Sequence, residues 1–248
     1  MCSAPATDGP DPELVRLTGA TWESVSRRGS RSLNADAAAA VTDSVTGHTA
    51  FVVADGVGDH LSAVRAARTA AAVAAVVGAR GGASAGILAA QRELLRQFAQ
   101  SEADSVLVVA VLPTAGRPDA PCDIAWVGDC RAYRWNGRVL HQITTDHTVA
   151  EFWLARGHCP PPRLNHLVTT SVRTVRAADI GRATTGSSTG RLLLSTDGVH
   201  KRLDIATIKT MLAAEESPAT VAETLVDNAL RTGGTDNATA LVADRRLP

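Results

Sequence analysis

Two apolar runs of this chain end on an aspartate followed by a glycine. They are Phe51-Val52-Val53-Ala54-Asp55-Gly56 and Leu192-Leu193-Leu194-Ser195-Thr196-Asp197-Gly198. A third aspartate, in Gly234-Thr235-Asp236-Asn237, comes just before another apolar run, Ala238-Thr239-Ala240-Leu241-Val242. A carboxylate at a strand end is held rigidly, and the glycine beside it lets other backbone come close. Several such carboxylates converging on one point repel each other unless a cation neutralises them. Hard divalent ions such as Mg²⁺ and Mn²⁺ favour all-oxygen surroundings of this kind. The residues therefore point first to a carboxylate-lined metal site.

The rest of the composition narrows the partners. Hydrophobic residues make up 45% of the 248, which is enough for a buried core and argues against disorder. Lys plus Arg and Asp plus Glu each number 25, so charge gives no reason to expect nucleic acid. No uninterrupted apolar stretch reaches the roughly 20 residues that span a bilayer, and no membrane partner is expected. The polar, proline-containing N-terminus has no basic start followed by an apolar segment, so no secretory signal is expected. Cys2, Cys122, Cys130 and Cys159 lack metal-finger spacing and read as reduced thiols of a cytoplasmic protein.

Along the chain, residues 1–15 read as a frayed tail and 16–248 as a single domain. Strands are expected over Leu17–Val25, Ala37–Thr42 and Thr49–Ala54, the last two forming a hairpin. Helices follow over Asp59–Ala79 and Ser84–Ser101, separated by Gly81-Gly82. Val106–Leu112, Asp123–Val127 and Ala132–Trp135 read as strands, and Asn136-Gly137 predicts a turn into a return strand at Val139–Ile143. Thr148–Arg156 suggests a short helix, and Cys159-Pro160-Pro161-Pro162 an extended segment or loop. Leu192–Ser195 is a strand, Ile205–Ala214 and Pro218–Arg231 are helices, and Ala238–Ala243 is a closing strand. Strands, helices, strands and then helices are not the alternation of a parallel sheet. The order fits an α+β arrangement of antiparallel sheets with helices packed outside.

A series of motifs runs through this framework. In order they are Arg31-Ser32-Leu33-Asn34-Ala35-Asp36, Val53-Ala54-Asp55-Gly56-Val57-Gly58-Asp59-His60, Val127-Gly128-Asp129-Cys130-Arg131-Ala132-Tyr133, Thr144-Thr145-Asp146-His147, Leu194-Ser195-Thr196-Asp197-Gly198 and Gly234-Thr235-Asp236-Asn237-Ala238-Thr239. Each is weak alone. Together, over residues 20–244, they resemble the motif series of the metal-dependent Ser/Thr protein phosphatases of type 2C (the PPM family) in their short bacterial form.

The resemblance implies a central antiparallel β-sandwich flanked by helices on both faces, a four-layer αββα arrangement. It implies two Mn²⁺ or Mg²⁺ ions bridged by Asp55, with Asp197 and Asp236 on one and the Gly56 carbonyl on the other. Asp36 would hold metal-bound water or ligate directly, and Asn237 would fix the loop that carries Asp236. Arg31 lies where the family places its phosphate-binding arginine, and a planar guanidinium grips two phosphate oxygens as lysine cannot. Water activated by the cations would attack phosphorus directly, and His60 is the candidate for protonating the departing serine or threonine oxygen. His60 reads equally well as a helix-start residue, Asp129 as a partner of Arg131, and Asp146 with His147 as helix-capping residues.

Four departures from the family pattern stand out. Ala35 replaces a Gln or Glu, Gly58-Asp59 replaces Gly-Gly, and Ala103-Asp104-Ser105 replaces Gly-Thr-Thr. Asp129 is the aspartate that many members use with a second acidic residue to bind a third, weaker ion. That second position is here Lys201, which leaves a third metal doubtful and makes the ammonium its candidate substitute, paired with Asp129. The segment Arg156–Ser171 falls where the family carries a flap beside its active site. The expected function is hydrolysis of phosphoserine and phosphothreonine in protein substrates, opposing a Ser/Thr kinase in the cytoplasm, by a monomer. The alternative is a catalytically weak or inactive phosphatase-fold protein that acts as a phosphoprotein-binding or regulatory module.

Overall fold

Strands β3 (Thr49–Gly56) and β4 (Ser105–Leu112) pair antiparallel and are apolar along nearly their whole length because both of their faces are covered. Val52 and Ala54 of β3, with Leu107, Val109 and Val111 of β4, face helices. Phe51 and Val53, with Val106, Val108 and Ala110, face a second sheet. The period-two alternation of a strand thus divides one apolar run between two cores. The computed structural model describes residues 19–99, 102–117 and 120–245.

Two five-stranded sheets, each antiparallel throughout, make the centre. One adds β2 (Asp36–Thr42), β5 (Asp123–Val127) and β8 (Gly181–Thr184) in the order β2-β3-β4-β5-β8. The other is built from β1 (Ala20–Arg27), β6 (Arg131–Trp135), β7 (Leu140–Gln142), β9 (Gly190–Ser195) and β10 (Ala238–Arg245), in the order β1-β10-β9-β6-β7. Phe51, Val108, Trp126, Leu194 and Leu241 fill the space between the sheets, and the Trp22 ring meets Phe51 edge-on at 5.3 Å between centroids.

Helices α1 (Leu61–Gly81) and α2 (Ala83–Gln97) cover the first sheet. The buried face of α1 is almost all alanine, including Ala63, Ala66, Ala67, Ala70, Ala71 and Ala74. Small side chains let the helix lie close on β2, β3 and β4 while giving good helix propensity. Helices α5 (Ile205–Ala213) and α6 (Pro218–Arg231) cover the second sheet through Ile208, Leu212, Leu225 and Val226 against Leu193 and Val242. Ser217 caps α6 by accepting from the Thr220 amide, and Pro218 opens it without wasting a donor. Two single-turn helices complete the chain, α3 (Val149–Leu154) and α4 (Asp197–His200). The four-layer α+β sandwich expected from the sequence is therefore the observed architecture.

The differences are local. The first strand begins at Ala20 and reaches Arg27, residues 17 and 18 lying outside the described residues together with the 1–15 tail. Helix α2 stops at Gln97, short of the expected Ser101, which is also outside them. The short return strand covers only Leu140–Gln142. Pro162 is not loop, since it opens a 3₁₀ turn over Pro162–His166, where its missing amide costs nothing. Strand β8 escaped notice because Gly181-Arg182-Ala183-Thr184 has no apolar run and sits at a sheet edge. No uninterrupted apolar run of bilayer-spanning length occurs in Leu61–Gly81, where Arg65, Arg68 and Arg80 break the sequence. Helix α1 is long and apolar enough, by length and composition, to cross a bilayer, and half of that window is buried inside the protein.

Candidate metal and phosphate site

Pairing of β2 with β3 sets Asp36 directly opposite Asp55, so two carboxylates share one end of the sandwich. Gly56 follows Asp55 where backbone crowds in, since a Cβ there would stand 2.5 Å from the Ala63 carbonyl oxygen. At the same end, β9 delivers Asp197 as the first residue of α4. Gly198 packs against the loop before β10 so tightly that a Cβ would collide with the Asn237 carbonyl. That contact draws Asp197 and Asp236 together. Asp129 follows β5 in the tight connection to β6.

These elements enclose a cleft of about 450 Å³ whose wall includes Arg31, Asp55, Gly56, Asp129, Asp197, Asp236 and Asn237. Of the residues singled out in the sequence, Asp36 lies off the cleft wall, buried beside Asp55 in the next strand. His60 is also off the wall. Its Nδ1 accepts from the Ala63 amide at 3.1 Å and shares a 2.8 Å hydrogen bond with Ser62 Oγ, so it caps α1.

The electrostatics of this end are dominated by uncompensated negative charge. Arg31 and Lys201 touch three of the carboxylates: Arg31 pairs with Asp236, and Lys201 with Asp129 and Asp197. Among the described residues no cation touches Asp36 or Asp55. Burial, then the charges of Asp36, Asp197, Asp129 and Asp236, push the Asp55 carboxyl well above its usual range. Burial lifts the Asp36 carboxyl to about 7, against the hydroxyls of Thr239 and Thr196, which donate to its Oδ2 at 2.7 and 2.8 Å. The other oxygen, Asp36 Oδ1, is buried without any hydrogen-bond partner.

Buried polar atoms are ordinarily satisfied, and an orphaned carboxylate oxygen beside a second unpaired carboxylate is a place for a cation. The all-oxygen donor set fits a hard divalent ion. Among the described residues no three ligand-type side chains stand grouped to hold an ion; Asp236 is paired with Arg31, and Asp129 and Asp197 with Lys201.

The loop that carries Arg31 is fastened at several points. The Asp59 carboxylate accepts from the amides of Ser32 and Leu33, both at 3.1 Å. The Ser32 amide first holds its carboxyl below the usual range, so this departure from Gly-Gly places a loop anchor at the rim. Asn237 donates to the carbonyls of Arg28 and Leu33 at 2.8 Å and accepts from the Ala35 amide at 2.7 Å. The replaced Gly-Thr-Thr segment is also engaged. Ser105 Oγ donates to the Asp55 carbonyl at 2.8 Å, while Asp104 accepts from Ser171 Oγ and the Arg173 amide.

Two alternative roles are corrected by the geometry. Asp129 does not pair with Arg131, which instead forms two 2.8 Å bonds to Asp146. Asp146 is thereby taken up, and the cap of α3 is Thr148, neither Asp146 nor His147. Sequence reasoning passed over Thr196 and Thr239, which hold Asp36, and His166 and Arg202, which line the cleft. The threonines each stand within three residues of a site aspartate, Thr196 beside Asp197 and Thr239 after Asp236, which is a signal only once the strands are aligned.

Comparisons with known proteins bear on the fold. No family model matches the chain. The chain is 28% identical over 163 residues to a serine/threonine phosphatase Stp of Listeria welshimeri, a match spanning 60% of this chain and 62% of that relative. It superposes on the serine/threonine phosphatase Stp1 of Staphylococcus aureus with a TM-score of 0.79 at 21% identity, over 91% of this chain and 95% of the other. A catalytic domain of the serine/threonine protein phosphatase PstP, solved in complex with 2 manganese ions, gives a TM-score of 0.73 at 24% identity, over 91% and 97%. The chain therefore has the fold of the bacterial type 2C serine/threonine phosphatases and resembles them in sequence over that matched span.

Proposed function

We propose that this protein hydrolyses phosphoserine and phosphothreonine in protein substrates with the help of two divalent ions, Mn²⁺ or Mg²⁺. The observation that carries the reading is the opposed pair Asp36 and Asp55, which no cation touches among the described residues: Asp55 lines a cleft whose wall also carries Arg31, and Asp36 is buried behind it in the neighbouring strand. Asp55, Asp197, Asp236 and the Gly56 carbonyl are the groups that would hold the ions, with Asp36 supporting them from the neighbouring strand. When bound, such ions supply Lewis-acid charge and lower the pKa of water to near neutrality.

The chain's own residues do the rest. Arg31 offers a planar fork to two phosphoryl oxygens, and its present partner Asp236 is the carboxylate it would exchange for them. Asp59 and Asn237 keep the Arg31 loop at the rim. The Lys201 ammonium stands between Asp129 and Asp197, and we read it as a fixed positive charge in place of a third ion. A monomer opposing a Ser/Thr kinase in the cytoplasm suits this activity. The free thiols Cys122, Cys130 and Cys159 are in keeping with a reducing compartment.

The test is hydrolysis of a phosphothreonine peptide by the purified protein with Mn²⁺ and after chelation. The reading expects metal-dependent phosphate release and, in Asp55→Asn, a loss of about 10²-fold or more, the scale of removing one preorganised electrostatic group. Absence of release with Mn²⁺ or Mg²⁺ at millimolar concentration would contradict it.

A further inference from the structure

The segment between α3 and Thr169 leaves the body of the protein as a nearly continuous exposed excursion, with residues 152–159 and 165–167 all exposed. Its base is closed by backbone bonds, Val149 amide to Leu167 carbonyl at 2.8 Å and Thr169 amide to His147 carbonyl at 2.7 Å. Inside residues 155–166 the hydrogen bonds are local: Gly157 to Leu154, His158 to Trp153, Leu164 to Pro161. Among the described residues a single hydrogen bond joins 155–166 to another part of the fold. The Lys201 ammonium donates it to the Asn165 carbonyl at 2.9 Å.

The same ammonium donates to Asp129 Oδ2 at 2.6 Å and to Asp197 Oδ2 at 3.0 Å. A lysine has three donors, and all three are used. Its side chain is only 14% exposed, so the three bonds act with little screening by water. Beside this point the excursion brings His166 Nδ1 to 3.7 Å from Asp197 Oδ2, and His166 and Val168 enter the cleft wall.

We propose that Lys201 is a positioning residue that latches the excursion against the carboxylates, and so presents His166 and the neighbouring backbone at the cleft mouth. Without the latch, the described contacts of residues 155–166 are their base, the packing of Arg156 and His158 on Phe152 and Trp153 of α3, and the weaker His166–Asp197 approach. The latch itself stands on the geometry. Its effect on substrate rests on the phosphatase reading, with phosphoprotein or phosphopeptide substrates touching this mouth and a small aryl phosphate reaching only the floor.

Trypsin reads the latch directly, because Arg156 and Arg163 lie within the excursion. In the metal-free protein, Lys201→Met should accelerate cleavage after these two arginines by about tenfold, the scale of losing one charge-assisted hydrogen bond when cleavage follows the open population. Lys201→Arg should restore most of the protection. If Lys201→Met does not fold, Lys201→Gln carries the same comparison. Equal cleavage rates, or acceleration spread evenly over the whole chain, overturn the latch. In enzymatic assays Lys201→Met should raise KM for a phosphopeptide more than KM for p-nitrophenyl phosphate, and equal changes in the two would remove the substrate-facing role while leaving the proteolysis result to stand or fall alone.

Discussion

Arg31 and Asp236, 205 residues apart in sequence, are joined by two parallel hydrogen bonds, Nε to Oδ1 at 2.9 Å and Nη2 to Oδ2 at 2.7 Å. On the proposed function, a guanidinium that would take a phosphate thus holds a carboxylate that would take a cation. Each can do its work only when the pair separates. Both side chains are partly exposed, 44% and 35%, so water screens the pair and separation costs little, about 0.2–1 kcal/mol.

This relationship predicts opposite effects from one substitution. Arg31→Ala releases Asp236, and Mn²⁺ binding measured by calorimetry should tighten by about 1.4- to fivefold, the affinity equivalent of that screened pair. The same variant should lose phosphopeptide turnover, mainly through KM, and Arg31→Lys should recover only part because an ammonium cannot grip two oxygens in one plane. Unchanged or weaker Mn²⁺ binding in Arg31→Ala would show that the pair does not restrain Asp236.

The hydroxyls beneath the site carry a second expectation. Thr239 donates to Asp36 Oδ2 at 2.7 Å and shares a 2.7 Å hydrogen bond with Ser26 Oγ. Thr239→Val keeps the shape and removes one of the two donors that Asp36 has. Urea denaturation of the metal-free protein should show a loss of about 1–3 kcal/mol, the cost of leaving a buried acceptor under-satisfied. A stability equal to wild type would mean that the Thr239 hydroxyl contributes nothing net to the satisfaction of Asp36 in the metal-free fold.

Away from the cleft, Asp43 gives a pH signature for the β2–β3 hairpin. Its carboxylate accepts from the Thr46 amide at 2.9 Å, from the Val45 amide at 3.1 Å and from Arg80 Nε at 2.6 Å. The Thr46 amide first, and then Arg80, lower its carboxyl to about 2. An unfolded aspartate titrates near ~3.9, so the stabilisation is fully present above that pH and disappears as pH falls through about 2. Thermal melts of Asp43→Ala and wild type should differ most at pH 7 and converge near pH 2. A difference that persists at pH 2 would assign the effect to packing rather than charge.

How much of this could be read from the sequence depends on the range of the interaction. Asp55-Gly56 and Asp197-Gly198 were legible because a carboxylate and a glycine at a strand end make a local, rigid signal. Strands β3 and β4 were legible as apolar runs, but the division of their side chains between two cores was not, because it depends on which face each sheet layer covers. Strand β8 was not, since its Gly-Arg-Ala-Thr sequence draws its place from pairing with β5 rather than from its own side chains. The bidentate hold of Arg31 on Asp236 was invisible, because both residues had plausible roles elsewhere. Lys201 could be set opposite Asp129 from its position relative to Asp197, but its third bond goes to a backbone carbonyl, that of Asn165, which no side-chain motif reports. Arg131 illustrates the reverse failure, for nearness in sequence to Asp129 suggested a pair that the fold gives to Asp146.

The account turns on cations gathering the aspartates that the fold has brought to one cleft. Anomalous diffraction from Mn²⁺-loaded crystals measures this most directly. It should show two ions sharing the Asp55 carboxylate, with Asp197 and Asp236 turned toward them and the Lys201 ammonium still beside Asp129. An absence of ordered Mn²⁺ at Asp55, or an ion seated between Asp129 and Asp197 with Lys201 expelled, would contradict it.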